Sequence, residues 1–64
     1  MFIILDLDEA KKIVQDYADI QGIDPMEALE WMEASYDDLD NDERAALNYI
    51  FNEAKNGTEI HFGK

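Results

Sequence analysis

Apolar residues recur at helical spacing in three stretches of the chain. The first runs from about Asp8 to Gln21 and stops at Gly22, a residue that readily adopts the left-handed conformation that closes a helix. Its apolar face consists of Ala10, Ile13, Val14, Tyr17 and Ala18. We therefore predict a first helix here, with acidic side chains at its positive N-terminal end, among them Asp6 and Glu9.

The second stretch has the clearest helix start in the sequence. Asp24 is suited to an N-cap, Pro25 fits the first helical position, and Glu27 follows three residues after the cap. We predict a helix from this point to about Tyr36 or Leu39. One face is apolar and carries Ala28, Leu29, Met32, Tyr36 and Leu39, and the opposite arc carries Glu27, Glu30, Glu33, Asp37 and Asp38.

The third stretch predicts a helix that begins near Asp40 or Asn41 and stops at Asn56-Gly57. Its apolar face consists of Ala46, Leu47, Ile50, Phe51 and Ala54, and Tyr49 lies at the edge of that face. Three amphipathic helices with short connections indicate a bundle in which each helix buries one face.

The two termini have the pattern of short strands. Residues 2–5 are apolar and rich in β-branched side chains, and residues 58–62 alternate, with Ile60 and Phe62 predicted to face the core and Thr58, Glu59 and His61 outward. We predict a mainly α (α+β) fold, β-α-α-α-β: a three-helix domain with a short two-stranded terminal β-ribbon. The alternative is an all-α three-helix bundle with extended termini. Either fold makes residues 1–64 a single small acidic domain.

Charge is the most unusual property of this sequence. Its 64 residues include 16 Asp and Glu against 5 Lys and Arg, giving a formal net charge of -11. The whole excess lies in residues 13–43, hereafter the acidic segment, which contain eleven carboxylates and no Lys or Arg. Such a segment creates a coherent negative field that attracts a basic partner and repels nucleic acid and anionic membranes. The plainer interpretation is a surface that only keeps a small protein soluble.

A set of partner-binding residues follows from this charge and from one aromatic side chain. On a helical projection Trp31 falls off the apolar face of the second helix, among carboxylates, as an apolar anchor with a polar rim does in an interface. Met26 also projects away from the apolar face and is expected to extend such a patch. The alternative is that Trp31 packs under the ribbon or against the first helix. The predicted partner-binding residues are Asp16, Asp19, Glu27, Glu30, Trp31, Glu33, Asp37 and Asp38.

Catalytic and metal-binding chemistry finds little support. Asp38, Asp40 and Asp42 alternate as in a calcium-binding EF-hand loop, but Glu43 stands where the loop needs glycine and Tyr49 where it needs glutamate. We interpret these acids as a helix cap and first turn. The sequence has no cysteine and one histidine, and Ser35 with His61 lacks any recognisable oxyanion loop. We therefore predict no enzyme activity, no metal and no cofactor.

The sequence thus favours a small acidic non-catalytic protein-binding module, an inhibitor or regulator that docks on a basic, nucleic-acid-binding surface of a partner. In size and charge alone it resembles the small acidic inhibitors encoded by phages, some of which mimic nucleic acid. The alternative is a structural or assembly protein that forms a homodimer through the ribbon edge or the Trp31 patch. A third hypothesis is an acidic accessory domain that regulates an enzyme through a helix-in-groove contact. We expect no membrane partner and a cytoplasmic location, in the host if the protein is viral, because the N-terminal apolar run is too short for a signal peptide.

Overall fold

The computed structural model describes residues 6–62, and its regular structure is helical. Helix α1 spans Leu7–Gln21, α2 spans Pro25–Ala34 and α3 spans Asn41–Lys55, with a short 3-10 helix, Tyr36–Asp38, between α2 and α3. No strand occurs in the described range. The fold is therefore all-α: the predicted alternative is correct, and the β-α-α-α-β prediction is wrong.

The C-terminal tail explains why the strand prediction failed. Residues 58–62 are irregular, and residues 2–5, the expected partner strand, lie outside the described residues. Ile60 and Phe62 do pack against the core, so the alternating pattern arises from a tail that lies on helices rather than from a sheet. Thr58 also departs from its predicted outward position, because it is half-buried and its hydroxyl donates to Glu53 Oε1 at 3.0 Å.

Helix α1 begins and ends close to the predicted residues. It starts at Leu7 because the Asp6 side chain accepts a hydrogen bond from the Glu9 amide at 2.8 Å. At the other end Gly22 has φ of 74°, and the Ile23 amide donates to the Ala18 carbonyl at 3.0 Å. This is the Schellman arrangement, which satisfies carbonyl groups left free at a helix end.

Helix α2 is shorter than predicted, since it ends at Ala34 rather than at Tyr36 or Leu39. The Ser35 hydroxyl donates to the Trp31 carbonyl at 2.7 Å, and Ser35 leaves helical geometry with φ of -115° and ψ of 36°. The chain then forms the 3-10 helix. Leu39 is nevertheless buried and Tyr36 packs against the core, so both side chains were correctly assigned to the apolar face.

Helix α3 matches its predicted bounds and opens with the expected acids. The Glu43 carboxylate accepts from the Asp40 amide at 3.0 Å, which is the return bond of a capping box. At the C-terminal end, the Thr58 amide donates to the Glu53 carbonyl at 2.9 Å after Gly57, whose φ is 97°. This second Schellman arrangement turns the chain from α3 into the tail.

The core is formed by one face of each helix. Its buried residues are Ala10, Val14, Ala18, Ala28, Leu29, Met32, Leu39, Ala46, Leu47 and Ile50. Helix α1 packs extensively against both other helices, whereas α2 and α3 contact each other much less. Phe51 and Ala54, which were predicted to lie on the apolar face of α3, are exposed. In residues 6–62 no helix has the length and apolar character needed to cross a bilayer.

Candidate interaction surface

The side chains predicted to bind a partner are all exposed. Asp16 and Asp19 lie in the C-terminal half of α1, and the remaining members lie on α2 and the 3-10 helix: Glu27, Glu30, Trp31, Glu33, Asp37 and Asp38. These three elements follow one another directly in the chain, and α1 packs against α2. The acidic segment therefore presents its carboxylates to solvent over consecutive, contacting elements.

In the part of the chain that the structure describes, no Lys or Arg side chain forms an ion pair with a carboxylate of the acidic segment. The one contact of ion-pair length within residues 6–62 joins His61 Nε2 to Glu59 Oε1 at 3.2 Å, and it lies in the tail. Asp19 Oδ1 accepts a hydrogen bond from Gln15 Nε2 at 3.4 Å, a neutral donor. The charge excess read from the sequence therefore persists as a field at the surface of the folded chain.

Arg44 directly follows the acidic segment in the sequence, and its side chain contacts backbone carbonyls. Its Nε donates to the Tyr36 carbonyl at 3.0 Å and its Nη2 donates to the Asp37 carbonyl at 2.7 Å. The guanidinium carbon also lies 5.5 Å from the centroid of the Tyr36 ring, a cation–π distance. Arg44 thus joins α3 to the 3-10 helix, a structural role that sequence reasoning missed.

Trp31 is 41% exposed, as its position off the apolar face of α2 indicated. Met26 is also exposed, at 58%, but it does not extend the Trp31 patch as predicted. Five residues at about 100° each place the two side chains about 140° apart around the helix. Met26 and Trp31 therefore lie on opposite flanks of α2, with Glu30 on the arc between them.

A groove lies at the N-terminal end of α2, on the Met26 flank, with a volume of about 630 Å³. It is formed by the end of α1, the start of α2 and the C-terminal tail. Its apolar lining consists of Ile23, Pro25, Met26, Ile60 and Phe62. The groove combines these apolar side chains with an amide, an imidazole and two carboxylates, which belong to Gln15, His61, Asp19 and Asp24.

A second hollow, of about 400 Å³, lies at the C-terminal end of α2 and is more polar. Glu33, Asp37 and Asp38 line it, together with Ser35 and Tyr36. Nothing apolar in its lining matches the set around Met26. The two ends of α2 therefore offer a partner different chemistry although both are acidic.

The other candidates from the sequence have local structural roles. Asp40 lies at the N-cap of α3 with Glu43 bonded to its amide, in agreement with the helix-cap interpretation of the alternating acids. Across residues 6–62 no three His, Asp or Glu side chains converge as metal ligands. The Ser35 hydroxyl donates to its own helix, and His61 is exposed beside Glu59. Tyr49 is half-buried at the edge of the core, as predicted.

The groove is the feature that sequence reasoning missed. The outward projection of Met26 and the apolar positions of Ile60 and Phe62 were visible, but nothing in the sequence indicated that the tail returns to the start of α2. Comparisons with protein-family models, curated proteins and solved structures give no match to this chain.

Proposed function

We propose that this chain is a small non-catalytic binding module whose acidic surface docks on a basic surface of a partner protein. The observation that carries the proposal is the set of exposed carboxylates in residues 13–43, none of which forms an ion pair in the described part of the chain. A concentrated field of one sign accelerates encounter with a surface of opposite sign and disfavours partners of like sign.

The finer form of the proposal concerns what the partner surface normally binds. Strongly basic protein surfaces are commonly those that neutralise the phosphates of nucleic acids. Carboxylates arrayed on α1, α2 and the 3-10 helix would compete with phosphates for the same Lys and Arg side chains. The module would then act as an inhibitor that mimics nucleic acid.

Capture of a partner from an extract of the source cells tests this function when it is done with matched variants. The first variant carries Glu27→Lys and Glu30→Lys, both on the exposed arc of α2. The control carries Asp8→Lys and Glu9→Lys, which change the net charge equally but lie outside the acidic segment. All four side chains are exposed, so both variants are expected to fold.

The proposal predicts that the wild-type chain and the control capture the same protein and that the α2 variant does not. Added DNA or RNA displaces the captured protein if the mimicry is correct, and has no effect if the basic surface serves another purpose. Equal capture by the two variants contradicts docking through the acidic segment.

A second candidate, an assembly protein that self-associates, is favoured by a separate observation. Among residues 6–62, four large apolar side chains are exposed: Ile20 at 81%, Met26 at 58%, Trp31 at 41% and Phe51 at 37%. A core of this size gains stability when such side chains are covered by another copy. The ribbon edge no longer serves as the contact, because residues 58–62 form no strand.

Sedimentation velocity at low and high salt separates this candidate from the first. Self-association predicts that the fraction of dimer rises with protein concentration and with salt, and that Trp31→Ala abolishes the dimer. A monomer at all concentrations and both salt levels contradicts it.

A further inference from the structure

The groove at the N-terminal end of α2 has an apolar floor that the fold leaves accessible. Ile23, Ile60 and Phe62 are half-buried and contact the core from below, while Met26 is mostly exposed. The apolar lining comes from three separate parts of the chain, namely the α1–α2 connection, the first turn of α2 and the tail. Such convergence of apolar side chains gives a partner a place to bury a side chain of its own.

The charge around this floor restricts which occupant suits it. Asp19 and Asp24 line the groove, both are exposed, and neither forms an ion pair within residues 6–62. His61 also lines the groove, but its Nε2 lies 3.2 Å from Glu59 Oε1 in the tail and not against either aspartate. An acidic occupant is repelled, and a second copy of a chain with net charge -11 brings the same repulsion. A purely apolar occupant leaves the two carboxylates without a partner. Only a segment that combines apolar and cationic side chains complements both parts of the lining.

We propose that the groove binds a basic, amphipathic segment of a protein partner. A large apolar side chain of that segment packs among Ile23, Met26 and Phe62, and a neighbouring Lys or Arg pairs with Asp19 or Asp24. This inference rests on the proposed function and makes it more specific: the acidic segment attracts the partner, and the groove, rather than Trp31, supplies the apolar anchor.

The test uses the full chain, isotopically labelled for NMR, and three short capped peptides. In the first peptide lysines flank a pair of leucines, in the second serines replace the leucines, and in the third glutamines replace the lysines. The proposal predicts that the lysine–leucine peptide shifts the resonances of Ile23, Met26 and Ile60 and binds at least about tenfold more tightly than either of the others, a difference of about 1.4 kcal/mol.

Variants on the two flanks of α2 provide the matched control. Met26→Ala is expected to weaken the lysine–leucine peptide about tenfold, as loss of an interface anchor does. Trp31→Ala removes a larger exposed side chain from the other flank and is expected to leave the affinity within about twofold, below the effect of an anchor residue. Asp24→Asn is expected to reduce the salt dependence of binding, because it removes one charge and its side chain makes no capping hydrogen bond.

Several results would overturn the inference. If the serine peptide binds as tightly as the lysine–leucine peptide, or if the shifts centre on Trp31, the groove is not the anchor but docking on a basic surface stands. If no lysine peptide binds, the proposed function fails too. If the glutamine peptide binds equally well, the occupant needs no charge.

Two further results would assign the groove to another occupant and equally overturn the inference. Shifts of the groove resonances with protein concentration, in the absence of peptide, identify a second copy of the chain. Nuclear Overhauser contacts between residues 2–5 and the Met26 methyl group in the free protein identify the chain's own N-terminal residues.

Discussion

Both ends of α2 are negatively charged, but different interactions fix the chain at each end, and the hollows beside them have different linings. At the N-terminal end, Gly22 and Pro25 fix the chain through their own backbone preferences, and a groove lined by both apolar and polar side chains opens beside them. At the C-terminal end, the Arg44 side chain holds the turn from a distance in sequence, and the adjacent hollow is lined by carboxylates. Net charge alone therefore does not describe the acidic surface. At one end of α2 the carboxylates lie beside large apolar side chains, and at the other end they lie mainly beside one another.

The largest expected loss of stability comes from removing the Arg44 side chain, which donates hydrogen bonds to the turn after α2. Arg44→Ala eliminates two hydrogen bonds from a charged donor to the carbonyls of Tyr36 and Asp37, which is worth about 2 kcal/mol. In a domain of this size such a loss lowers the melting temperature by roughly 10 °C. Thermal unfolding followed by circular dichroism measures it. Lys12→Ala, which removes the same charge from an exposed position, serves as the control, and equal losses in the two variants would show that Arg44 acts by charge alone.

A smaller loss of stability is expected from a substitution at the N-terminal end of α2, because the backbone conformation of Gly22 positions that end. Gly22 has φ of 74°, and a Cβ built there meets no atom within 4 Å. Gly22→Ala therefore introduces backbone strain without a clash, at a cost of about 1 kcal/mol. Gly22→Asn is expected to lose less, since asparagine tolerates left-handed geometry better. If alanine and asparagine destabilise the chain equally in denaturant titrations, the left-handed conformation is not what positions this end.

The smallest expected changes in melting temperature come from removing one carboxylate at each end of α2, where the helix dipole has opposite signs. Glu33 lies near the negative C-terminal end of α2, and Asp24 lies at the positive N-terminal end. In low salt, Glu33→Gln is expected to raise the melting temperature by a few degrees and Asp24→Asn to lower it slightly. High salt should reduce both changes, because it screens exposed charges. Shifts of the same sign in the two variants would mean that general carboxylate repulsion outweighs the dipole.

The features that could be predicted from the sequence are those fixed by neighbouring residues, as at the N-terminal end of α2. The bounds of α1 and α3 and the start of α2 depend on Gly22, Pro25 and Asn56-Gly57, which act on their own neighbours, so a local pattern is sufficient. The end of α2 was not predicted, because the turn that follows it is held by hydrogen bonds from the Arg44 side chain, seven and eight positions away. The helical spacing of apolar residues continues to Leu39, although α2 ends at Ala34.

The tail and the candidate site show where local pattern stops being informative. Alternation at Ile60 and Phe62 correctly indicated which side chains face inward, but a sheet and a helical surface both accept such a pattern. The exposure of Trp31 and of the carboxylates followed from helical projection. Predicting the groove required knowing that the tail and the start of α2, more than thirty positions apart, line the same hollow, which no spacing along the chain encodes.

The most direct test of the acidic segment as a docking surface compares equal changes of net charge at different places. Titration calorimetry with the lysine–leucine peptide gives dissociation constants for the α2 reversal variant and for the control reversed at Asp8 and Glu9. The account predicts that the α2 reversal weakens binding at least about tenfold and the control less than about threefold, since exposed charges act mainly within a Debye length. Equal weakening in the two variants would contradict it, because the peptide would then be responding to total charge rather than to this surface.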